Sequence, residues 1–204
     1  MAGQTIIAIG REFGSKGHEI AEKIAKDLGL KLYDRSMLDE LASKMNIKVE
    51  VFEKYDEKPR NPIFTRRVGQ YTNSMEEIVA EMQFDFIRQK AKEGESFVIV
   101  GRCADSVLKD MEGLITIFVC GNKECKRRHV MEKFHLSKAE ASAKMIRHDI
   151  KRKQYHNRHS DTKWGDSRYY DLCINSSPLG VDGTAKVLVG YIQERMKENE
   201  QKKL

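Results

Sequence analysis

At 204 residues, 40% apolar and 33% charged, the chain suits one compact soluble domain with a real core. It contains no run of 18 apolar residues, which excludes a membrane-spanning helix, and no secretion signal precedes its first strand-like segment, so a cytoplasmic protein is expected. The net charge of +6 is uneven: residues 121–170 carry fourteen Lys and Arg against six Asp and Glu, a segment suited to nucleic acid or to the phosphates of a small ligand.

Residues 5–9 (TIIAI) read as a buried strand that ends in a glycine-rich turn. A helix over 17–28 follows, with Ile20, Ile24 and Leu28 on one face and Gly29 as its stop. Residues 31–33 are a weaker strand candidate, and a helix is expected from Ser36, with Asp39 three residues on. Residues 47–73 hold Pro59 and Pro62 and no clean periodicity, and read as an insertion or mobile flap. Ser74 with Glu77 in capping-box spacing opens a helix to about Lys92. Strands are expected at 97–100 and 114–120, then a short basic helix over 122–133. Ser137 with Glu140 opens a further helix that runs past Asp149. A strand at 172–174 and a helix from about Thr184 to Lys197 close the chain.

The strand candidates are β-branched and lack strict alternation, as strands covered on both faces should. With helices between them they predict an α/β fold: a five-stranded parallel sheet with helices on both faces, in one domain spanning 1–204.

The turn after the first strand carries the chemistry. Gly10, Arg11, Glu12, Phe13, Gly14, Ser15, Lys16, Gly17 and His18 join a strand to a helix, the geometry that offers N–H groups and partial positive charge to a phosphate. The regular pattern ends in Gly-Lys-Ser/Thr. Here Lys16 precedes Gly17, and His18 and Glu19 stand where a magnesium-holding hydroxyl is expected. Arg147, Lys151 and Arg152 are four and five positions apart on one expected helix, on overlapping faces. The single tryptophan, Trp164, reads equally as a structural plug or as a ring that stacks on a base. His129, His135, His156 and His159 show no ligand spacing and are given surface or packing roles. Cys103, Cys120, Cys125 and Cys173 form no Cys-x-x-Cys pair and are expected to be buried, reduced thiols, and no metal ligand set is assigned.

Several stretches together resemble a known family. These are residues 9–29, Leu32-Tyr33-Asp34-Arg35, Val98-Ile99-Val100-Gly101-Arg102, Ile117-Phe118-Val119, Arg147 to Arg152 and Tyr170 to Ser176. They resemble bacterial cytidylate kinases and, more closely, the divergent group called cytidylate kinase-like proteins. The resemblance covers nearly the whole chain. It implies a P-loop-containing nucleoside triphosphate hydrolase-type fold with a helical lid over about 137–168. It implies ATP and Mg2+ as cofactors, a nucleotide donor, and a small phosphorylated acceptor such as a nucleoside monophosphate. ATP phosphates are expected over Gly14, Ser15, Lys16, Gly17 and His18, with Arg11 or Lys16 supplying the lysine's role. Asp34, Arg35, Arg102 and Asp105 are expected on the acceptor side, and Arg147, Lys151 and Arg152 over the transferring group. The cytidylate kinases proper follow Gly-Arg with Asp, whereas this chain has Cys103-Ala104-Asp105. Two other readings stand beside this one. The first is a nucleotide-binding regulatory protein without catalysis, suggested by Lys16 and the absent hydroxyl. The second is a nucleic-acid binder using 121–170, a stretch with no recognised module.

Overall fold

Glycine and N-cap signals punctuate the chain where the sequence places them. The computed structural model describes residues 3–35, 37–45, 50, 55, 67–68, 71–72 and 74–201. The chain begins with β1 (Ile6–Arg11), α1 (Gly17–Leu28), β2 (Lys31–Tyr33) and α2 (Met37–Met45). It continues through the short strands β3 (Arg67–Val68) and β4 (Tyr71–Thr72), then α3 (Met75–Lys92), β5 (Phe97–Val100), α4 (Ala104–Val107) and β6 (Leu114–Cys120). Next come α5 (Lys123–Phe134), α6 (Lys138–His159), a 3-10 turn at Ser167–Tyr169, β7 (Leu172–Asn175) and α7 (Gly180–Gln201).

Local chemistry accounts for most boundaries. Gly29 ends α1 at φ 65°, a left-handed conformation that costs glycine nothing. The Ser74 side chain accepts from the Glu77 N–H and starts α3. Ser137 and Glu140 form the full reciprocal capping box at the head of α6. β1 runs two residues further than expected, into the glycine turn, because Gly10 and Arg11 pair with Phe118 and Val119 of β6. The last helix is longer at both ends than the expected 184–197. The expected start at Ser36 lies outside the described residues, as does most of the expected flap over 47–73. Within that stretch β3 and β4 pair antiparallel.

The five long-range strands form one parallel sheet in the order β2-β5-β1-β6-β7. Successive side chains point to opposite faces, so each central strand feeds two cores. Ile6 and Ala8 of β1, with Phe97 and Ile99 of β5, pack under α2 and α3. Ile7, Ile9, Val98 and Val100 pack under α1 and α7 against Ile20, Ile24, Leu188 and Ile192. This explains why the strands read as continuous apolar runs. Each fully buried isoleucine contributes roughly 1.5–3 kcal/mol. The α5–α6 pair makes a separate small core of Val130, Ala141 and Met145, on which Phe13 rests.

Asp171 ties the sheet's edge together. Its Oδ2 accepts from the Thr116 N–H at 2.8 Å and Oγ1 at 3.0 Å, and its Oδ1 accepts from Arg195 at 3.0 Å. This joins β6 and α7 to the start of β7. No helix among the described residues is long and apolar enough to cross a membrane. The cysteines are all free, but only Cys103 is buried; Cys120 and Cys125 are half-buried and Cys173 is exposed at the sheet's edge.

Candidate functional site

β1, with β5 on one side and β6 on the other, leads to a crevice beyond the carboxyl ends of the strands, the place where open α/β sheets bind ligands. The residue after β1 is fixed at once: the Glu12 N–H donates to the Val119 carbonyl at 3.0 Å. Gly14 follows at φ +84°, and a Cβ there would meet Val130 Cγ2 at 2.9 Å and the Lys126 carbonyl at 3.0 Å. Only glycine fits that turn. A Cβ on Gly17 would fall 2.6 Å from Arg11 Cβ, so α1 begins hard against the end of β1. Ser15 is buried, with its hydroxyl donating to the Glu12 carbonyl at 2.9 Å. From the far strand, the Ser176 hydroxyl donates to the Ser15 carbonyl at 2.7 Å.

Lys16 is the N-cap of α1 in a left-handed conformation, φ 59°. Its backbone turn aims the first N–H groups of a twelve-residue helix at the crevice. Its side chain lines the same cavity as Arg11, Gly14, Gly17 and His18, so all but the buried Ser15 of the expected phosphate-binding set come together. His129, Lys133 and Phe134 of α5 form the opposite wall. His18 stands 3.4 Å from both Glu22 and Asp34, which links the loop to the segment after β2. Arg35 lies beside Asp34 but is exposed.

The loop is braced by charge. Glu12 Oε2 accepts from Lys126 Nζ at 2.8 Å and from the Gly121 N–H at 3.0 Å. Lys126 is only 8% exposed, and its second anion is Asp149, at 3.9 Å. Asp149 Oδ1 accepts from the Phe13 N–H at 2.7 Å. Burial pushes the Asp149 carboxyl up, against the pull of that N–H and of Lys126 and Arg152. The Phe13 ring stacks on His148 at 4.2 Å, and the Arg152 guanidinium sits over the same ring, 5.6 Å from its centroid. Burial, with Arg152 and three neighbouring cations, holds His148 down at about 4, so it packs as a neutral ring.

A second cleft opens beside the first. After β5, Gly101, Arg102 and Cys103 all take positive φ (78°, 55° and 51°). Arg102 and Cys103, with Lys16 and His135, are the only non-glycine residues so strained among the described residues, and three of the four lie at the site. The turn buries Arg102 to 3% exposure, with Nη1 donating to the Val100 carbonyl at 3.4 Å. Arg102 and Asp105 line this cleft together with Trp164, Tyr155, His156 and Tyr170. Trp164 packs edge-on to Phe118 at 5.2 Å, as a structural plug would, and also lines the cleft.

Arg11 and Arg152 line both clefts. The Arg152 guanidinium also donates to the Arg11 carbonyl at 3.2 Å, which fixes it between them. Of the three basic residues expected to act from α6, only Arg152 is in the site. Arg147 and Lys151 are exposed on the opposite side of the helix, beside Ile146 and Ile150. Sequence spacing missed Glu12, Lys126 and Asp149, and it missed His156, whose Nε2 lies 2.7 Å from Asp105 Oδ2. The hydrogen bonds that place them join residues 51 to 136 positions apart and leave no local signal.

A family model described as the cytidylate kinase-like family matches residues 6–178. The chain belongs to this family. A solved structure of an uncharacterized protein from Eubacterium ventriosum ATCC 27560 is similar over 93% of this chain and 99% of its own, at 38% identity and a TM-score of 0.73. Shikimate kinases share the fold at low identity. That of Bacteroides thetaiotaomicron aligns over 93% of this chain and 98% of its own, with 12% identity and a TM-score of 0.56. That of Acinetobacter baumannii, in complex with shikimate, aligns over 97% and 94%, with 13% identity and a TM-score of 0.52. No curated protein matches the chain. The fold is therefore the P-loop kinase type, and the family is kinase-like.

Proposed function

We propose that the protein is a kinase that moves the γ-phosphoryl group of ATP to a small anionic acceptor, a nucleoside monophosphate or a related molecule. One observation carries this reading: Arg11 and Arg152 are shared between a cavity built on a helix N-terminus and a second cleft built on the buried Arg102. Phosphoryl transfer needs charge neutralisation and alignment more than covalent help. ATP, when bound, supplies the group transferred. Gly14 gives the phosphates close approach, while Lys16 and the N–H groups at the start of α1 neutralise them. Arg102 holds the acceptor's anion, for which a planar guanidinium is well shaped. Arg11 and Arg152 neutralise charge between the two. The segment 137–168 serves as the lid, and Asp149 fastens it to the Phe13 N–H. Asp34 and Arg35 flank the acceptor side, with Asp34 joined to the loop through His18.

The described residues do not build a magnesium site of their own. Among the described residues no group of three His, Cys, Asp or Glu could hold a metal ion. Of the acidic groups around the loop, Glu12 and Asp149 are engaged by Lys126 and by backbone N–H groups, and Glu19 by Lys133. Magnesium would be held by nucleotide phosphates and water, as is common for that ion.

Coupled-assay turnover over a nucleotide panel, with ATP binding measured by calorimetry, tests the reading. ATP binding and transfer to at least one acceptor are expected, with transfer abolished in Arg102→Ala. Absence of both binding and transfer would sink it. The engagement of His18 by Asp34 and Glu22, where a hydroxyl is usual, favours a second reading as a nucleotide-binding regulator. Tight ATP binding without transfer to any acceptor would decide for that one.

A further inference from the structure

The acceptor cleft contains a pair of side chains that a phosphate acceptor does not need. His156 is 4% exposed and lines the cleft with Arg102 and Arg152. Its Nε2 lies 2.7 Å from Asp105 Oδ2. Its Nδ1 is buried with no hydrogen-bond partner among the described residues. Leaving a buried ring nitrogen unpaired costs roughly 1–3 kcal/mol in an ordinary core, so its retention calls for a ligand or a role.

The pair fixes its own tautomer. An ionised carboxylate only accepts hydrogen bonds, so the proton between the two residues belongs to Nε2. In a neutral ring the lone pair then sits on Nδ1. That nitrogen is left as the ring's acceptor while Asp105 holds the opposite side of the ring, the arrangement by which a carboxylate positions a histidine for proton abstraction. The charged and titratable groups that line the cleft beside the pair are Arg11 at the end of β1, Arg102 and Cys103 after β5, Arg152 and Tyr155 on α6, and Tyr170 before β7. Burial, together with the nearby Asp105, pushes the Tyr170 hydroxyl up, so it stays protonated and does not compete for the base's role. Arg152 is one helical turn before His156 on the same face of α6, which sets the base one turn from the residue shared with the phosphate loop.

The chemistry separates two acceptor classes. The second ionisation of a phosphate monoester lies near about pH 6, so such an acceptor is already an anion at neutral pH and needs no base. An alcohol does need one. Resting on the kinase reading above, we infer that the acceptor is a small hydroxylated anion. Its charge is held by Arg102, and its hydroxyl is deprotonated by His156 with Asp105 as the positioning residue. In the step, the hydroxyl proton passes to His156 Nδ1 as the acceptor oxygen bonds to the γ-phosphorus. The bond from that phosphorus to the bridging oxygen breaks, and its electron pair leaves with ADP. Asp105 stabilises the resulting imidazolium.

Two measurements test this. Long-range 1H–15N spectra of ring-labelled protein, assigned with His156→Gln, should show His156 at pH 7 with a proton on Nε2 and none on Nδ1. A protonated Nδ1 would overturn the inference whether or not the variant folds well. In the second, ATP-dependent turnover is compared across glycerate, glycerol 3-phosphate and ribose 5-phosphate on one side and cytidine and adenosine monophosphates on the other. A hydroxyl acceptor should be phosphorylated, and His156→Gln should lower its kcat/KM by about 10²-fold or more. ATP affinity should be unchanged in the variant. Transfer confined to the phosphate of a nucleoside monophosphate, within twofold in His156→Gln, would overturn the base and leave the kinase reading standing. Failure of the wild-type protein to bind ATP would remove the kinase reading, and the base with it.

Discussion

Replacing Glu12 by Gln tests whether the glycine-rich loop after β1 is held by charge. The side chain keeps its shape and an acceptor oxygen for the Gly121 N–H, but Lys126 loses the anion at 2.8 Å. Its remaining anion, Asp149, is 3.9 Å away and already accepts from the Phe13 N–H. A charge-assisted hydrogen bond contributes about 1.5–3 kcal/mol and a neutral one about 0.5–1.5 kcal/mol, so the change should cost about 1–2 kcal/mol. Truncation to Ala should cost more, roughly 3 kcal/mol, at the low end for a broken buried pair because Glu12 is partly exposed. In a chain of this length, 1–2 kcal/mol corresponds to a drop in Tm of about 2–8 °C. Urea unfolding, read by circular dichroism, should show a lower midpoint at unchanged slope. Lys126→Met in the Glu12→Gln background should recover part of the loss, because it removes the buried ammonium that was stranded. The reasoning fails if Glu12→Gln stays within 0.5 kcal/mol, roughly the effect of an ordinary surface change, or if the double variant is no more stable than the single.

Gly14→Ala should cost about 1–2 kcal/mol from the left-handed backbone, and more from the contact with the Lys126 carbonyl. Its ATP affinity by calorimetry should fall at least tenfold, and unchanged affinity would mean that phosphates bind elsewhere. Arg152→Lys keeps the charge but loses the planar fork that reaches the Arg11 carbonyl, so kcat should drop by about 10²-fold with little change in ATP affinity. The folded protein holds His148 at about 4 against an ordinary 6.5, so it contributes stability fully present above about 6.5 and lost as pH falls toward 4. His129 and His159, also held down chiefly by burial, lose stability in the same direction. Urea midpoints measured from pH 7.5 to 4.5 should fall, and less steeply in His148→Phe, which stacks on Phe13 but cannot take a proton; equal slopes would refute this.

Local rules made much of this protein legible in advance. The Ser74 and Ser137 caps depend on residues three positions apart, and Gly29 and Gly14 on one backbone angle each, so the sequence contains all the information those turns need. Apolar runs without alternation identified strands buried on both faces, because a parallel sheet between two helical layers leaves no wet side. The strand order β2-β5-β1-β6-β7, by contrast, depends on which runs pair, and every neighbour in it is distant in sequence.

The same division holds in the site. The glycine turn and Arg102 follow strands directly, so their place in the crevice could be read from position alone. The inner face of α6 could not. Its basic residues circle the helix, and periodicity cannot say which side faces a partner when both sides are charged. Packing decided it: Phe13 stacks on His148, Asp149 takes the Phe13 N–H, and Asp105 meets His156, which turns Arg152 inward and leaves Arg147 and Lys151 outside. What the sequence determined by itself is therefore the scaffold of the glycine-rich loop, where cause and effect lie within a few residues. The tertiary structure alone decided which charges meet, because those contacts join residues 51 to 136 positions apart.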